Sequence, residues 1–202
     1  MSTVRGQNIN VKIAVIVPVK NEEQGLMELV QKLLQQVTDN DEIIFVDAGS
    51  TDRTQEILNQ ASREHGQVKM IVSPGAYPGK GRNIGIANTD AEIIVQIDGG
   101  NLPGPCWLNK MIAPIIAEQA DFVWGDYRFM PVIKKISNIE LDLGEVYGCS
   151  LLRRYGRSSL QDISGGACVA YKRWVWETVG GFPEWTQVAE DKLFVKKIQI
   201  LK

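Results

Sequence analysis

The sequence lacks several features that would point to common classes of protein. No apolar run among its 202 residues approaches the ~20 needed to span a bilayer. The N-terminal stretch MSTVRGQNINVK has no apolar core of the kind found in signal peptides. Basic residues are not in excess, since 22 Lys and Arg stand against 24 Asp and Glu, and nucleic-acid binding is therefore not indicated. We expect a cytoplasmic protein with no nucleic acid as a partner.

Histidine and cysteine are also scarce, which limits the catalytic chemistry. His65 is the only histidine, and it stands near a predicted helix end, where contact with the helix dipole is the expected role. No Ser-His-Asp or Cys-His group can be assembled, so a base, if one is needed, must be a carboxylate. Cys106, Cys149 and Cys168 are odd in number and widely spaced, which favours reduced thiols over a disulfide framework or zinc site.

What the chain does contain is a regular alternation of apolar strands and helical segments. Runs rich in β-branched residues cover 11–17, 42–47, 68–72 and 92–98. Helical patterns lie near 22–37, 53–65, 82–89 and 105–118. This alternation is typical of a parallel sheet with helices on both faces, and the apolar fraction of 44% fits one α/β domain.

Beyond residue 120 the pattern changes. DFVWGDYRF (121–129) is predicted as a strand, 137–159 as a helix with polar interruptions, and 164–185 is rich in Gly and Trp. This half is expected to receive a second substrate. The last helix is predicted to begin at Glu190 and Asp191, where acids either complement the helix dipole or serve a function.

Polar residues gather at the predicted carboxyl ends of the strands, where ligands of such sheets bind. They are Pro18, Lys20, Asn21 and Glu22 after the first strand, Asp47 after the second and Asp98 after the fourth. A carboxylate that closes an apolar strand is costly to half-bury without a partner. A functional role is therefore favoured for Asp47, whereas Asp52 is interpreted mainly as a helix cap.

A glycine-rich segment, PGAYPGKG, precedes the third predicted helix. The overlapping stretch PGKGRNIG has Gly79, Gly81 and Gly85 at a spacing that suggests dinucleotide binding. That fingerprint, however, belongs after the first strand of its unit, with an acid about 20 residues further on. We interpret the segment as a flexible loop that leads into a helix N-terminus. Lys80 and Arg82 are then either available to bind phosphate or solvated surface charges.

The order of these motifs resembles that of the family 2 glycosyltransferases. PVKNEE, VDAGSTD, GKGRNIG, the Asp-ended fourth strand, GGACVAYKR with VGGFPE, and the late ED follow one another between about Lys12 and Leu193. The resemblance implies the GT-A fold, a Rossmann-like, mostly parallel central sheet flanked by helices. It implies a single domain over residues 1–202, with 1–120 as the nucleotide-sugar donor half and 121–202 as the acceptor half.

The resemblance also implies a reaction, the transfer of a sugar from a nucleoside diphosphate to an acceptor hydroxyl with inversion at the anomeric carbon. Asp191 matches the family's catalytic base, and Glu190 would position the acceptor or tune that base. The positions that match the donor site are Pro18, Lys20, Asn21, Glu22, Asp47, Lys80, Arg82 and Asp98. Those that match the acceptor side are Gly165, Gly166 and Trp185, where Trp185 either stacks on a sugar ring or simply packs.

Three departures from the family pattern bear on the cofactor and the donor. Asp98 matches the first acid of the D-x-D motif, which implies a divalent cation, Mg²⁺ or Mn²⁺, at Asp98. The second acid of that motif is replaced by Gly100. Mg²⁺ often uses only one or two carboxylates plus substrate phosphates, so Asp98 remains a metal ligand candidate. Ala48 and Val19 replace an acid and an aromatic of the nucleoside edge, which weakens the case for uridine.

Two alternatives stay open. Gly100, Ala48 and the end of the chain soon after the ED helix, which indicates a trimmed or abbreviated member, favour a nucleotide-sugar binding relative without turnover. A sugar nucleotidyltransferase is disfavoured, because PVKNEE stands where such enzymes carry a glycine-rich loop with arginine. The acceptor is a glycan, a lipid or a small molecule. A lipid acceptor would place the protein at the inner face of a membrane, where RRYGR (153–157) is either a contact patch or a solvated face.

Overall fold

The computed structural model describes residues 11–125 and 168–200, together with the backbone of five short strands between these ranges. The strands are β1 (Ile13–Val19), β2 (Glu42–Asp47), β3 (Val68–Val72), β4 (Ile93–Ile97), β5 (Phe122–Gly125), β6 (Arg128–Met130), β7 (Ile133–Ile136), β8 (Ile139–Asp142), β9 (Glu145–Tyr147), β10 (Leu152–Arg153) and β11 (Cys168–Lys172). The helices are α1 (Leu26–Leu34), α2 (Thr54–Glu64), α3 (Pro78–Ala87), α4 (Trp107–Ile116), α5 (Arg173–Val179) and α6 (Glu190–Ile200).

Seven strands form the central sheet in the order β10-β5-β11-β4-β1-β2-β3. The strands β4, β1, β2 and β3 pair in parallel. Strand β11 runs antiparallel between β4 and β5, and β10 is antiparallel to β5. Five of the seven strands thus point the same way, which confirms the predicted α/β architecture with a mostly parallel sheet. The remaining described strands form the separate pairs β6–β9 and β7–β8.

Apolar side chains cover both faces of this sheet. Along β1, Val15 and Val17 join a core cluster with residues of α1, α2 and α4. Ala14 and Ile16, which alternate with them, join a second cluster with residues of α3, α5 and α6. The alternation follows from the two-residue period of a strand, and burial on both faces explains why the strands are almost continuously apolar.

Helix α3 starts earlier than the sequence suggested. It begins at Pro78, so Lys80 and Arg82 lie on a helix and the prediction of a flexible loop reaching to residue 81 was wrong. Proline is favoured at the first helical position because its missing N–H would be unpaired there anyway. Gly85 brings the helix close to the sheet, since a Cβ there would lie 2.7 Å from Ile16 Cγ2.

Two further predictions were also wrong. The helix expected over 137–159 is replaced by β8, β9 and β10, and the alternation of apolar and polar residues in IELD and EVY is the period of a strand, not of a helix. Cys168 is disulfide-bonded, so it is not a reduced thiol. His65 does stand at the C-terminal end of α2.

None of the helices in the described part of the chain has the length and apolar character that a membrane span requires. Gly165 and Gly166 lie outside the described residues, as do the side chains of the RRYGR segment.

Candidate functional site

A cavity of about 480 Å³ opens at the carboxyl ends of β1, β2 and β4. Its walls come from the loop after β1, the first turns of α3, the tip of β4 and the start of α6. Six of the residues singled out from the sequence line it, namely Pro18, Lys20, Glu22, Arg82, Asp98 and Glu190. The sheet topology therefore brings together side chains that are up to 172 positions apart, from Pro18 to Glu190.

The loop after β1 is tied to the loop after β2 by hydrogen bonds. The Asn21 N–H donates to Ser50 Oγ at 2.8 Å, and the Thr51 N–H donates to Asn21 Oδ1 at 2.8 Å. The Glu22 N–H donates to Thr54 Oγ1 at 2.8 Å. Asn21 has a φ of 55°, in the left-handed region that asparagine tolerates better than most residues. Asn21 therefore shapes the loop that presents Lys20 and Glu22 to the cavity.

Asp47 is fully buried at the end of β2, and its carboxylate is used within the loop that follows. It accepts hydrogen bonds from Gln55 Nε2 at 2.7 Å, from the Gly49 N–H at 3.1 Å, and from the N–H and hydroxyl of Ser50. The neighbouring Ala48 lines the cavity. Asp47 thus stands behind the cavity wall and fixes the loop that forms it.

Arg82 links the tip of β4 to the start of α6. Its side chain is 2% exposed, and Nη2 donates to Asp98 Oδ1 at 2.6 Å while Nη1 donates to Glu190 Oε1. Burial by itself lowers the pKa of Arg82, but the negative charges of Asp98, Glu190 and Asp191 outweigh it and raise that pKa. Arg82 Nε is buried without a hydrogen-bond partner among the described residues. The guanidinium is a fixed positive charge in the cavity wall.

Three further predicted residues, Lys80, Asp191 and Trp185, are not among the residues that line the cavity. Lys80 is exposed on the first turn of α3. Asp191 follows Glu190 in the first turn of α6, and its Oδ1 accepts a hydrogen bond from the Lys192 N–H at 2.7 Å. Trp185, in the segment that leads to α6, is 77% exposed. Its indole is therefore accessible to a ligand and is not part of the core.

Asn83 is an important residue of this region for which no role was predicted from the sequence. Its Oδ1 accepts hydrogen bonds from Trp176 Nε1 and the Phe182 N–H, both at 2.9 Å. Its Nδ2 donates to the Phe182 carbonyl and to Glu184 Oε1, also at 2.9 Å. Asn83 therefore holds the VGGFPE segment against α3. The only signal in the sequence was its position next to Arg82.

Glu22 lies beside the tip of β4. A Cβ on Gly100 would be 3.7 Å from Glu22 Oε2 and 3.8 Å from Oε1. Burial raises the pKa of Glu22, and the negative charges of Asp98 and Asp52 raise it further. No group of three His, Cys, Asp or Glu side chains is arranged to hold a metal ion in the described part of the chain. Glu22 and Asp98 thus form a pair of carboxylates at one end of the sheet.

Comparison with known protein structures identifies the fold. TarS 1-349 from S. aureus in complex with UDP-GlcNAc superposes with a TM-score of 0.66 at 21% identity, over 94% of this chain and 53% of TarS 1-349. The mannosyltransferase PcManGT from Pyrobaculum calidifontis, in complex with GDP-Man and Mn²⁺, gives a TM-score of 0.66 at 21% identity, over 92% of this chain and 51% of that protein. The chain has the GT-A fold that the motifs implied.

Sequence comparison identifies the family. The probable glycosyltransferase YdaM of Bacillus subtilis (strain 168) is 26% identical over 189 residues, which are 89% of this chain and 44% of YdaM. The chain therefore spans about half the length of the proteins it matches. The family model for glycosyl transferase family 2 matches residues 14–178. With most of its length covered by that model, the chain belongs to glycosyl transferase family 2.

Proposed function

We propose that this chain transfers a sugar from a nucleoside diphosphate sugar to an acceptor hydroxyl, with inversion at the anomeric carbon. The observation that carries the proposal is the convergence of Arg82, Asp98 and Glu190 on one cavity, with Asp191 in the turn beside it. TarS and PcManGT, which share the fold, are complexed with UDP-GlcNAc and GDP-Man. These complexes support a nucleoside diphosphate sugar as the donor class.

The positive end of the cavity suits a diphosphate. The first turn of α3 carries backbone N–H groups that are unpaired within the helix, and a helix N-terminus attracts anions. Lys20 lines the cavity, and Lys80 stands on that first turn of α3. We assign these groups, with Arg82, to the stabilisation of the negative charge that develops on the leaving diphosphate.

Asp191 is the proposed base. Its carboxylate takes the proton of the acceptor hydroxyl while the hydroxyl oxygen bonds to the anomeric carbon. The bond from that carbon to the diphosphate oxygen breaks, and the electron pair leaves with the diphosphate. Glu190, held by Arg82, fixes the first turn of α6 and so positions Asp191 relative to the donor.

A divalent cation, Mg²⁺ or Mn²⁺, would supply further neutralisation of the diphosphate charge when bound. Oxygen ligands suit these ions, and Asp98 fits as one of them. Its Oδ1 contacts Arg82, yet the side chain remains 40% exposed. Asp98 therefore stands in the cavity as a carboxylate that a cation can reach.

The decisive experiment compares the wild-type chain with Asp191→Asn in assays with UDP- and GDP-sugars across a panel of acceptors. We expect kcat to fall by about 10²–10⁴-fold, the usual contribution of a general base, with donor affinity and melting temperature unchanged. Asp39→Asn, which alters an exposed carboxylate bonded to Gln67, is the matched control.

Near-native transfer by Asp191→Asn would contradict the assignment of the base. Donor binding by the wild-type chain without transfer or donor hydrolysis would support a nucleotide-sugar binding protein instead. Failure of all the donors to bind would contradict the donor class.

A further inference from the structure

The tip of β4 and the loop after β1 approach each other closely at Gly99, which has no side chain. A Cβ on Gly99 would lie 2.7 Å from Val19 Cγ1 and 3.2 Å from the Pro18 carbonyl oxygen. The Gly99 N–H donates to that oxygen at 3.3 Å. Only a residue without a side chain allows this approach, and the approach brings Glu22 next to Gly100.

The carboxylate of Glu22 occupies space that a side chain at position 100 would use. Among the described residues, and apart from the chain neighbours of Gly100, the atoms within 4 Å of a Cβ added there are the two carboxylate oxygens of Glu22, at 3.7 and 3.8 Å. The backbone of Glu22 is held in place by its hydrogen bond to Thr54 Oγ1. An aspartate at position 100 would therefore project its carboxylate into the volume where the Glu22 carboxylate lies.

The charges around this point are unbalanced. Glu22 and Asp98 line the same cavity, and a Cβ on Gly99, the residue next to Asp98, would lie 3.2 Å from Glu22 Cγ. Arg82, one of the two cations that line the cavity, is engaged by Asp98 and Glu190. No Lys, Arg or His of residues 11–125 and 168–200 forms an ion pair with Glu22. The cavity is lined by three carboxylates, Glu22, Asp98 and Glu190, and by two cations, Lys20 and Arg82, so its wall carries a net negative charge.

We propose that Glu22 supplies the second carboxylate of a divalent-cation site whose first ligand is Asp98, in place of the acid that is absent at Gly100. The inference rests on the proposed function, because the cation would be shared with the diphosphate of the donor. Two carboxylates completed by phosphate oxygens and water satisfy Mg²⁺ or Mn²⁺. The two ligands then come from different loops, and the contact at Gly99 holds those loops together.

The test measures Mn²⁺ binding to the whole chain by electron paramagnetic resonance, with the metal alone and with UDP or GDP added. Glu22→Gln keeps the size of the side chain and removes its charge. We expect it to weaken Mn²⁺ binding by about tenfold or more, because affinity follows the number of charged ligands. Glu28→Gln, which alters an exposed acid of α1 paired with Lys32, is the control and is expected to leave Mn²⁺ affinity unchanged.

A second variant tests the exchange of one carboxylate for the other. Gly100→Asp combined with Glu22→Ala is expected to bind Mn²⁺ more tightly than Glu22→Ala alone, since the shortened side chain of residue 22 frees the volume into which the new carboxylate projects. If Glu22→Gln fails to fold in a thermal melt, Glu22→Asp replaces it. The aspartate side chain is shorter by one methylene, which moves its carboxylate away from the proposed cation. Mn²⁺ binding is therefore expected to weaken several-fold.

Equal Mn²⁺ affinity in the wild-type chain and the Glu22 variant that folds would overturn the inference. It would also be overturned if the wild-type chain bound no Mn²⁺ with either nucleotide. Both outcomes leave the proposed function intact as long as nucleoside diphosphate sugars bind and are turned over. The proposed function fails separately if those donors are neither bound nor turned over.

Discussion

The guanidinium of Arg82 lies 2.6 Å from the carboxylate of Asp98, and its other terminal nitrogen contacts Glu190. One buried side chain on α3 thus holds the tip of β4 and the first turn of α6. Asp98 belongs to the proposed donor side, and Glu190 stands next to the proposed base. The position of the proposed donor side relative to the proposed base therefore depends on Arg82.

Arg82→Met tests that dependence. The variant keeps an apolar stem but leaves the carboxylates of Asp98 and Glu190 without their cation. Removing one partner of a buried ion pair costs about 3–5 kcal/mol, and we expect a loss of about 3 kcal/mol in the free energy of unfolding because Asp98 is partly exposed. Urea denaturation measures it.

The control for Arg82→Met is Arg53→Met. Arg53 pairs with Glu56 at 3.1 Å, but both side chains are well exposed, and exposed pairs contribute little. The free energy of unfolding of Arg53→Met is expected to stay close to that of the wild-type chain. Equal losses in the two variants would mean that the contacts of Arg82 add nothing to stability.

Asn83→Asp tests the attachment of the VGGFPE segment. The substitution keeps the shape of the side chain but removes the Nδ2 donor to the Phe182 carbonyl and sets a negative charge beside Glu184. Leaving a buried acceptor unpaired costs about 1–3 kcal/mol. We expect a lower free energy of unfolding and a raised KM for the donor or the acceptor.

Asn88→Asp on the same helix is the matched control for Asn83→Asp. It loses one exposed hydrogen bond, to the Ile84 carbonyl, and is expected to keep the wild-type KM. A variant at Asn83 with wild-type stability and KM would show that the segment does not need this attachment.

Gly79→Ala tests the packing of α3 against the segment before α6. A Cβ at this position would overlap the Pro183 carbonyl oxygen and lie 3.2 Å from Glu190 Cβ. In an exposed helix, alanine is more favourable than glycine by about 1 kcal/mol. A net destabilisation of about 1–3 kcal/mol, typical of overpacking, together with reduced transfer is therefore the expected result. Calorimetry measures the loss of stability, and the transfer assay measures the loss of activity.

Gly66→Ala serves as the control for Gly79→Ala, because a Cβ on Gly66 would meet no atom of the described residues within 4 Å, its chain neighbours aside. It is expected to fold and react like the wild-type chain. A Gly79→Ala chain that is as stable as wild type would mean that Pro183 can move away at no cost.

Glu42 gives a prediction for pH dependence. Burial by itself raises the pKa of Glu42, but hydrogen bonds from Lys69, Thr89 and Lys12 outweigh it and hold that pKa below its usual value. A carboxyl whose pKa is lowered by folding stabilises the protein above its unfolded pKa, and that stability is lost as the pH falls through the folded pKa. Glu42→Gln is therefore expected to cost roughly 1 kcal/mol at pH 7.

The difference between Glu42→Gln and wild type should shrink below pH about 4.3, the ordinary pKa of glutamate, and vanish in stronger acid. Urea denaturation across this pH range measures the effect. Glu42 begins β2, at the end of that strand opposite Asp47, so transfer per folded molecule is expected to stay unchanged. A stability difference that does not vary with pH would contradict the role of the charge.

The sequence predicted the parallel part of the sheet because its strands are buried on both faces and are therefore almost entirely apolar. The same logic located Glu22 and Asp98 at strand ends. It did not reveal that Glu22 lies beside Gly100, 78 positions along the chain. That contact depends on the parallel pairing of β1 and β4, and no local pattern encodes the distance between two loops.

Other features depended on side-chain contacts between distant segments. Asn83 bonds to Phe182, 99 positions away, and Asp47 turns its carboxylate into its own loop through Gln55 and Ser50. Neither role follows from residue type alone. The early start of α3 at Pro78 had a local signal, proline at the first helical position, but the three glycines that follow concealed it.

The position of β11 between β4 and β5 has a consequence for the order in which the molecule can become stable. Every residue of β4 is buried, and one of its two edges pairs with residues 168–172. Until that segment has been synthesised, an emerging chain presents an unpaired apolar strand, which invites pairing with other chains. A proteolytic cut between β5 and β11 would likewise lower solubility, because β4 would lose its covalent link to β11, the strand that pairs with one of its edges.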